Sequence, residues 1–157
     1  MSRVLVACVG NVLRGDDGFG RAVAERLVLP GGAQVVETGI GGIALLQELL
    51  DGCDGLVLVD AVDRGAAPGT VFHITPEVGD AEHVADVHLA NPERVLTMAK
   101  SMGALPGRVA IVGCQPAEVD ELGEGLSPEV ERAVGVAAQR VEQLVGTWLR
   151  EGERAAG

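Results

Sequence analysis

The sequence predicts an α/β protein: a three-layer sandwich with a mostly parallel five-stranded sheet, one antiparallel edge strand and helices on both faces. Three observations carry this. Short apolar runs alternate with amphipathic stretches along the chain, the order expected of β-α-β units. Four of those runs are short and β-branched or apolar, and continuous apolar runs of this length suit strands covered on both faces. One further strand-like stretch follows the third run too closely for a helical crossover, so it pairs antiparallel.

The elements follow in order. Val4 to Val9 is the first strand, and Phe19, Val23 and Leu27 then stack at helical spacing. Gln34 to Glu37 is the second strand. Ile43, Leu46, Leu49 and Leu50 give the next helix its apolar face. Leu56 to Val59 is the third strand. Thr70 to Thr75 alternates, with Val71, His73 and Thr75 on one side, and reads as the edge strand. Residues 76–90 are the least regular part and contain His83, Asp86 and His88. Asn91-Pro92-Glu93 is an N-cap with proline at the first helical position, leading into Val95, Leu96 and Ala99. Val109 to Val112 is the fifth strand. Ser127-Pro128-Glu129 opens the last helix, whose stripe runs through Val130, Val134, Ala137, Val141, Leu144 and Trp148. One domain is expected over residues 1–150, with 151–157 a disordered tail.

Composition narrows the chemistry. At 157 residues the chain suits one domain, and with 2% aromatic residues its core must come from Val, Leu, Ile and Ala. The formal net charge is −11 and no Lys/Arg cluster occurs, which argues against nucleic acid and anionic membranes as partners. A neutral or basic peptide segment is electrostatically more welcome. No apolar stretch is long enough to cross a bilayer, and MSRVLVACVG lacks a signal-peptide layout, so the cytoplasm is the expected location. The three cysteines include no C-x-x-C pair. Cys8 and Cys114 lie in apolar runs and read as small buried hydrophobes, without disulfides.

Open parallel sheets bind ligands beyond the carboxyl ends of their strands. Five polar places fall on that edge: Asp17, Asp60 in LVLVDAV, His88, the Glu37–Gly42 loop ETGIGG, and Gln115-Pro116. Asp16 and Asp17 sit in a glycine-rich turn before a helix, where one acid would suffice to cap it, for ~0.3–1 kcal/mol. Asp60 ends a buried strand, where an ionised carboxylate is costly unless paired, hydrated or metal-bound. It could also cap the turn from Ala61 to Arg64. His88 alone is explained equally well by a satisfied surface or core position. His83 is spaced wrongly to share a helix face with it, and His73 belongs to the edge strand. Together, two carboxylates and an imidazole make an O,O,N donor set with positions open for water or a substrate atom. This differs from cysteine-rich structural zinc sites and from H-E-x-x-H helices.

The ordered set GNVLRGDDGFG, LVLVDAV, His88 before a proline-containing helix start, VGCQP and GLSPEV resembles the hydrogenase maturation proteases. These endopeptidases trim the large subunits of nickel–iron hydrogenases. The likeness runs from about residue 3 to about residue 147. It implies an α/β sandwich that removes a C-terminal extension from the large-subunit precursor after nickel insertion. It also implies Asp17, Asp60 and His88 as the catalytic, metal-contacting trio. Supporting positions are Asn11 and Asp16 in the first motif, and Glu37, Gly39 and Gly42 in the loop after the second strand. The nickel would arrive with the substrate rather than reside in the protein. Many relatives carry Glu where this chain has Asp17, and threonine where it reads Ile40 after Gly39.

Other readings use the same residues. A non-enzymatic nickel-binding maturation chaperone needs the same ligands. A magnesium-dependent phosphoryl-transfer or receiver-type domain also joins an acid pair to an Asp at the third strand, but wants a lysine where this chain has Gly113-Cys114-Gln115-Pro116. A dinucleotide-binding domain is disfavoured because the first turn lacks the G-x-G-x-x-G spacing. No Ser-His-Asp arrangement is apparent, and the apolar settings of Cys8 and Cys114 argue against a thiolate nucleophile.

Overall fold

The computed structural model describes the backbone of residues 3–10, 15–39, 42–79, 92–117 and 125–156, and their side chains except those of Asp17, Pro92 and residues 153–156. Five strands, β1 (Val4–Val9), β2 (Ala33–Gly39), β3 (Gly55–Ala61), β4 (Val71–Ile74) and β5 (Arg108–Cys114), form one sheet in the order β2-β1-β3-β5-β4. β1, β2, β3 and β5 are parallel. β4 lies at the edge and pairs antiparallel with β5, Val71 opposite Cys114 and Ile74 opposite Ile111. The helices are α1 (Phe19–Arg26), α2 (Gly42–Leu50), α3 (Pro92–Ser101) and α4 (Pro128–Ala156), with a 3-10 turn at Gly15–Gly18 before α1. This is the predicted α/β sandwich, antiparallel edge strand included.

Side-chain parity along the strands sorts the core into two halves. Val4, Val6 and Cys8 of β1, with Val57 and Val59 of β3, pack against α1 and α4 through Phe19, Val23, Val134 and Val141. Leu5 and Ala7, with Leu56 and Leu58, pack against α2 and α3 through Leu45, Leu49, Val95 and Leu96. Both faces are buried, which is why these strands read as unbroken apolar runs.

Two expectations differ from the structure. The buried face of α2 is Leu45 and Leu49, while Ile43 is 59% and Leu50 48% exposed. Leucine and isoleucine surround this helix, so spacing alone admits more than one face, and contact with the sheet decides. The last helix runs on to Ala156, where a disordered tail was expected from residue 151. Arg150, Glu151, Glu153 and Arg154 are good helix formers, and Arg108 of β5 pairs with Glu151. Among the described residues no helix is long and apolar enough to cross a membrane.

Candidate active site

The strand order creates a switch point. From β1 the chain passes through α1 to β2 on one side, whereas β3 and the strands beyond it lie on the other. The crevice beyond the carboxyl ends of β1 and β3 is where such sheets bind ligands. The turn that follows β1 is pulled into that crevice. Gly15 opens the 3-10 turn at φ +56, a left-handed conformation suited to glycine. Gly20 lets α1 press onto the strand ends: a Cβ there would lie 2.4 Å from the carbonyl oxygen of Val9 and 3.0 Å from that of Val59. The 3-10 turn, with Asp16 and Asp17, accordingly lies against β3.

Asp16 does not cap the helix that follows it. The N-cap of α1 is Gly18, without a side-chain cap bond. Asp16 is instead buried, at 2% exposure, and its carboxylate gathers three donors. The Ala117 N–H donates to Oδ2 at 2.8 Å, the Ser127 N–H to Oδ1 at 2.6 Å, and the Ser127 hydroxyl to Oδ2 at 2.7 Å. These short, charge-assisted bonds tie the acid turn to the segment after β5 and to the entry of α4. Their donors lie 101 and 111 residues away in the chain. Such a link leaves no trace in local sequence spacing.

Asp60 follows Leu56 and Leu58 on the same side of β3, so parity sends it toward the α2/α3 face. There it lines a groove of about 690 Å³ between β3, β5, the segment that follows β4, and α3. The turn after Asp60, from Ala61 to Arg64, is braced by Gln115. Buried Gln115 accepts from the Arg64 N–H at 2.7 Å and the Ala66 N–H at 3.2 Å, and donates through Nε2 to Asp63 Oδ1 at 2.9 Å. The Gln115 and Gly65 N–H bonds hold the Asp63 carboxyl below its usual range. Sequence reasoning placed Gln115 on this edge but did not foresee that it braces the loop beside Asp60.

The remaining expected positions divide as follows. Glu37 is exposed near the end of β2, opposite Cys8, and pairs with Arg21 at 3.6 Å. Gly39 closes β2, and buried Gly42 begins α2. Between Glu37 and Gly39, the hydroxyl of Thr38 is buried with no partner among the described residues. Asn11 and His88 lie outside the described residues. So does the side chain of Asp17, whose backbone is in the 3-10 turn. Among the described residues no group of three His, Cys, Asp or Glu side chains is placed to hold a metal; of the expected trio, only the side chain of Asp60 is included. The residues of the trio would supply hard oxygen and imidazole donors, which suit a divalent first-row metal.

The cysteines are free thiols. Burial, then the nearby Glu37 charge, pushes Cys8 up to about 12. Burial, then Asp16, pushes Cys114 up to about 11. Both stay protonated near neutral pH, the opposite of an activated nucleophile.

Known proteins match this architecture. The sequence profile of the family described as HycI, hydrogenase maturation protease, matches residues 20–144. The hydrogenase expression/formation protein HupD of Rhodobacter capsulatus is 32% identical, over 93% of this chain and 72% of its own. HupM of Azotobacter chroococcum, described in the same words, is 33% identical over 96% of this chain and 77% of its own. Among solved structures, the hydrogenase maturating endopeptidase HybD from E. coli superposes with a TM-score of 0.77 at 29% identity, covering 96% of this chain and 93% of its own. A hydrogenase 2 maturation peptidase from a Thaumarchaeota archaeon gives 0.69 at 34% identity, covering 92% and 99%. The chain therefore belongs to the hydrogenase maturation protease family, a family of peptide-bond hydrolases.

Proposed function

We propose that this peptidase removes the C-terminal extension of a nickel–iron hydrogenase large-subunit precursor, in the cytoplasm, after nickel has been inserted. One observation carries the reading. Asp60 lies near the carboxyl end of β3 at the switch point and lines a groove, and the turn bearing Asp16 and Asp17 lies against that same strand. An acid pair and a strand-end acid brought to one rim, in a chain of this family, support a site for a cation-bearing substrate.

Asp17, Asp60 and His88 are proposed to meet the nickel that the precursor carries. The ion belongs to the substrate and would supply an anchoring point and a polarising charge. The protein's own contribution is placement. Asp60 is fixed by a strand held on both sides, since β3 pairs with β1 and β5. Asp17 stands beside Asp16, whose three hydrogen bonds immobilise the turn. Holding a peptide bond in a productive pose is worth up to ~7–11 kcal/mol of barrier, so rigid placement suffices for a large rate gain.

The test is incubation of the protein with nickel-loaded precursor, followed by mass measurement of the large subunit. Loss of the mass of a C-terminal segment is the expected result. Binding without mass loss would make the protein a nickel-binding chaperone and overturn the proposal.

A further inference from the structure

The edge strand leaves part of its backbone without strand partners among the described residues. β4 pairs only with β5, and just before it the Gln115 N–H donates to the Thr70 carbonyl at 2.9 Å. Antiparallel bonding alternates, so Phe72 and Ile74 bond toward β5, while the N–H and C=O groups of Val71 and His73 point outward. Side-chain parity sends those two residues to the α4 side, where Val71 packs on the core and His73 is exposed. Beside this open edge lies a shallow depression of about 490 Å³ between β4 and α4. Val71, Ala133 and Val136 give it an apolar lining, and Val136 is 52% exposed. Arg132 and Arg140 flank Val136, each about one helical turn away. Both are exposed, and neither has a hydrogen bond or ion pair among the described residues. Glu129 is the one acid in the lining. A net positive shelf thus stands on the surface of a chain whose net charge is −11.

We propose that this edge and shelf dock an extended, acidic segment of the protein substrate, which joins the five-stranded sheet as a further strand beside β4. The assignment rests on the maturation reading above and adds a second place where the precursor is held, apart from the cutting site. Outward N–H and C=O groups at alternate residues fit an extended chain. Every second side chain of that chain hangs over the shelf, an apolar one on Val136 and carboxylates at Arg132 and Arg140. A second copy of this chain fits less well, because its own β4, Val71–Ile74, carries no acid to offer the arginines. The edge is four residues long, with Pro68 before it and Pro76 after, so it accepts a short strand and does not template a long one. Asp60 stands opposite Gly113, and Gly113 opposite Phe72. The docked strand therefore passes three strand spacings, ~14 Å, from Asp60.

The experiment uses the nickel-loaded large-subunit precursor as probe. Wild type, His73→Pro and the double variant Arg132→Glu/Arg140→Glu are compared by initial rate and by thermal unfolding. Proline at 73 removes an outward N–H and no bond of the β4–β5 ladder, and both arginines are exposed, so unfolding should stay near wild type. Each variant should raise KM by roughly tenfold with kcat nearly unchanged, as expected when binding is lost without loss of transition-state chemistry. High salt should shrink the effect of the double variant and leave that of His73→Pro. A photo-crosslinking residue at position 136 should label an acidic stretch of the precursor. A precursor with lysines in that stretch should be cut poorly by wild type and better by the double variant. If His73→Pro unfolds, the double variant and the crosslink decide. If wild type leaves the precursor uncut, the maturation reading fails and takes this assignment with it. If wild type cuts normally, either of two results overturns the docking site alone: a folded variant that keeps the wild-type KM, or a crosslink that joins two copies of this chain instead of reaching the precursor.

Discussion

The two faces of the sheet are finished in opposite ways. On the α1/α4 face the carboxyl edge is closed: Gly20 presses α1 onto the ends of β1 and β3, and buried Asp16 ties the acid turn to Ala117 and Ser127. At the other end of the same face Trp148 covers Gly55, leaving 2.8 Å to where a Cβ would stand. On the α2/α3 face the carboxyl edge opens instead into the groove lined by Asp60. The parity of β3 divides the two roles. Val57, Val59 and Ala61 go to the closed side, while Leu56 and Leu58 join the other core half and Asp60 the groove beside it. A sealed face fixes the acids' positions, and the unsealed face leaves room for a chain to reach them.

The largest effect should come from the open side. Asp60→Asn keeps the shape and removes the charge. It is expected to slow processing of the nickel-loaded precursor at least ~100-fold, about 2.7 kcal/mol of barrier, while the midpoint of thermal unfolding stays near wild type. Rates by mass spectrometry and unfolding by circular dichroism check the two halves. Normal processing by this variant would remove Asp60 from the site.

On the closed side the effects should appear first as stability. Asp16→Ala strips the acceptor from two backbone N–H groups and a hydroxyl, and a buried donor left unsatisfied costs about 1–3 kcal/mol. Urea unfolding should show a loss of that order, with processing reduced because the turn is released. Gly20→Ala forces α1 away from the carbonyl of Val9, an overpacking cost of about 1–3 kcal/mol, read by the same titration. An unfolding curve unchanged by either substitution would contradict the sealed-face description.

Smaller effects sharpen the picture. The Asp63 carboxyl is held below its ordinary value of 3.8 by Gln115 and Gly65. A depressed acid stabilises the folded loop above its unfolded pKa and stops doing so as pH falls through its folded one. Amide protection at Gly65 and Ala66, measured relative to the intrinsic exchange rate at each pH, should therefore fall once the pH drops below that of ordinary carboxylates, and stay constant between neutral pH and there. The smallest expected effect is none: with Cys8 raised to about 12 and Cys114 to about 11, iodoacetamide at pH 7 should leave both unmodified and processing undiminished.

Much of this was legible in the sequence, and the exceptions have physical causes. Continuous apolar runs announced strands buried on both faces, and the short spacing from β3 to β4 announced the antiparallel edge. Asp60 and Gln115 could be placed on the carboxyl edge from chain order alone. The leucine-rich α2 concealed its buried face, because every side of that helix offers an apolar residue. The acid pair admitted a helix-capping reading without saying which acid capped, because the partners of Asp16 are over a hundred residues distant and no local pattern encodes them. The parity of Leu56, Leu58 and Asp60 was visible in the sequence, yet which face stays open depends on how α3 and the segment after β4 pack, which is a property of the assembled fold.

The central claim is that Asp17, Asp60 and His88 meet one ion at the open side of the sheet's carboxyl edge. A crystal structure of the protein soaked with nickel, or with cadmium as a surrogate, tests it most directly. The account predicts one metal bound by all three residues, with oxygen and nitrogen donors at about 2.0–2.2 Å as for ordinary divalent sites. Metal bound elsewhere, or three side chains too far apart to share an ion, would contradict it.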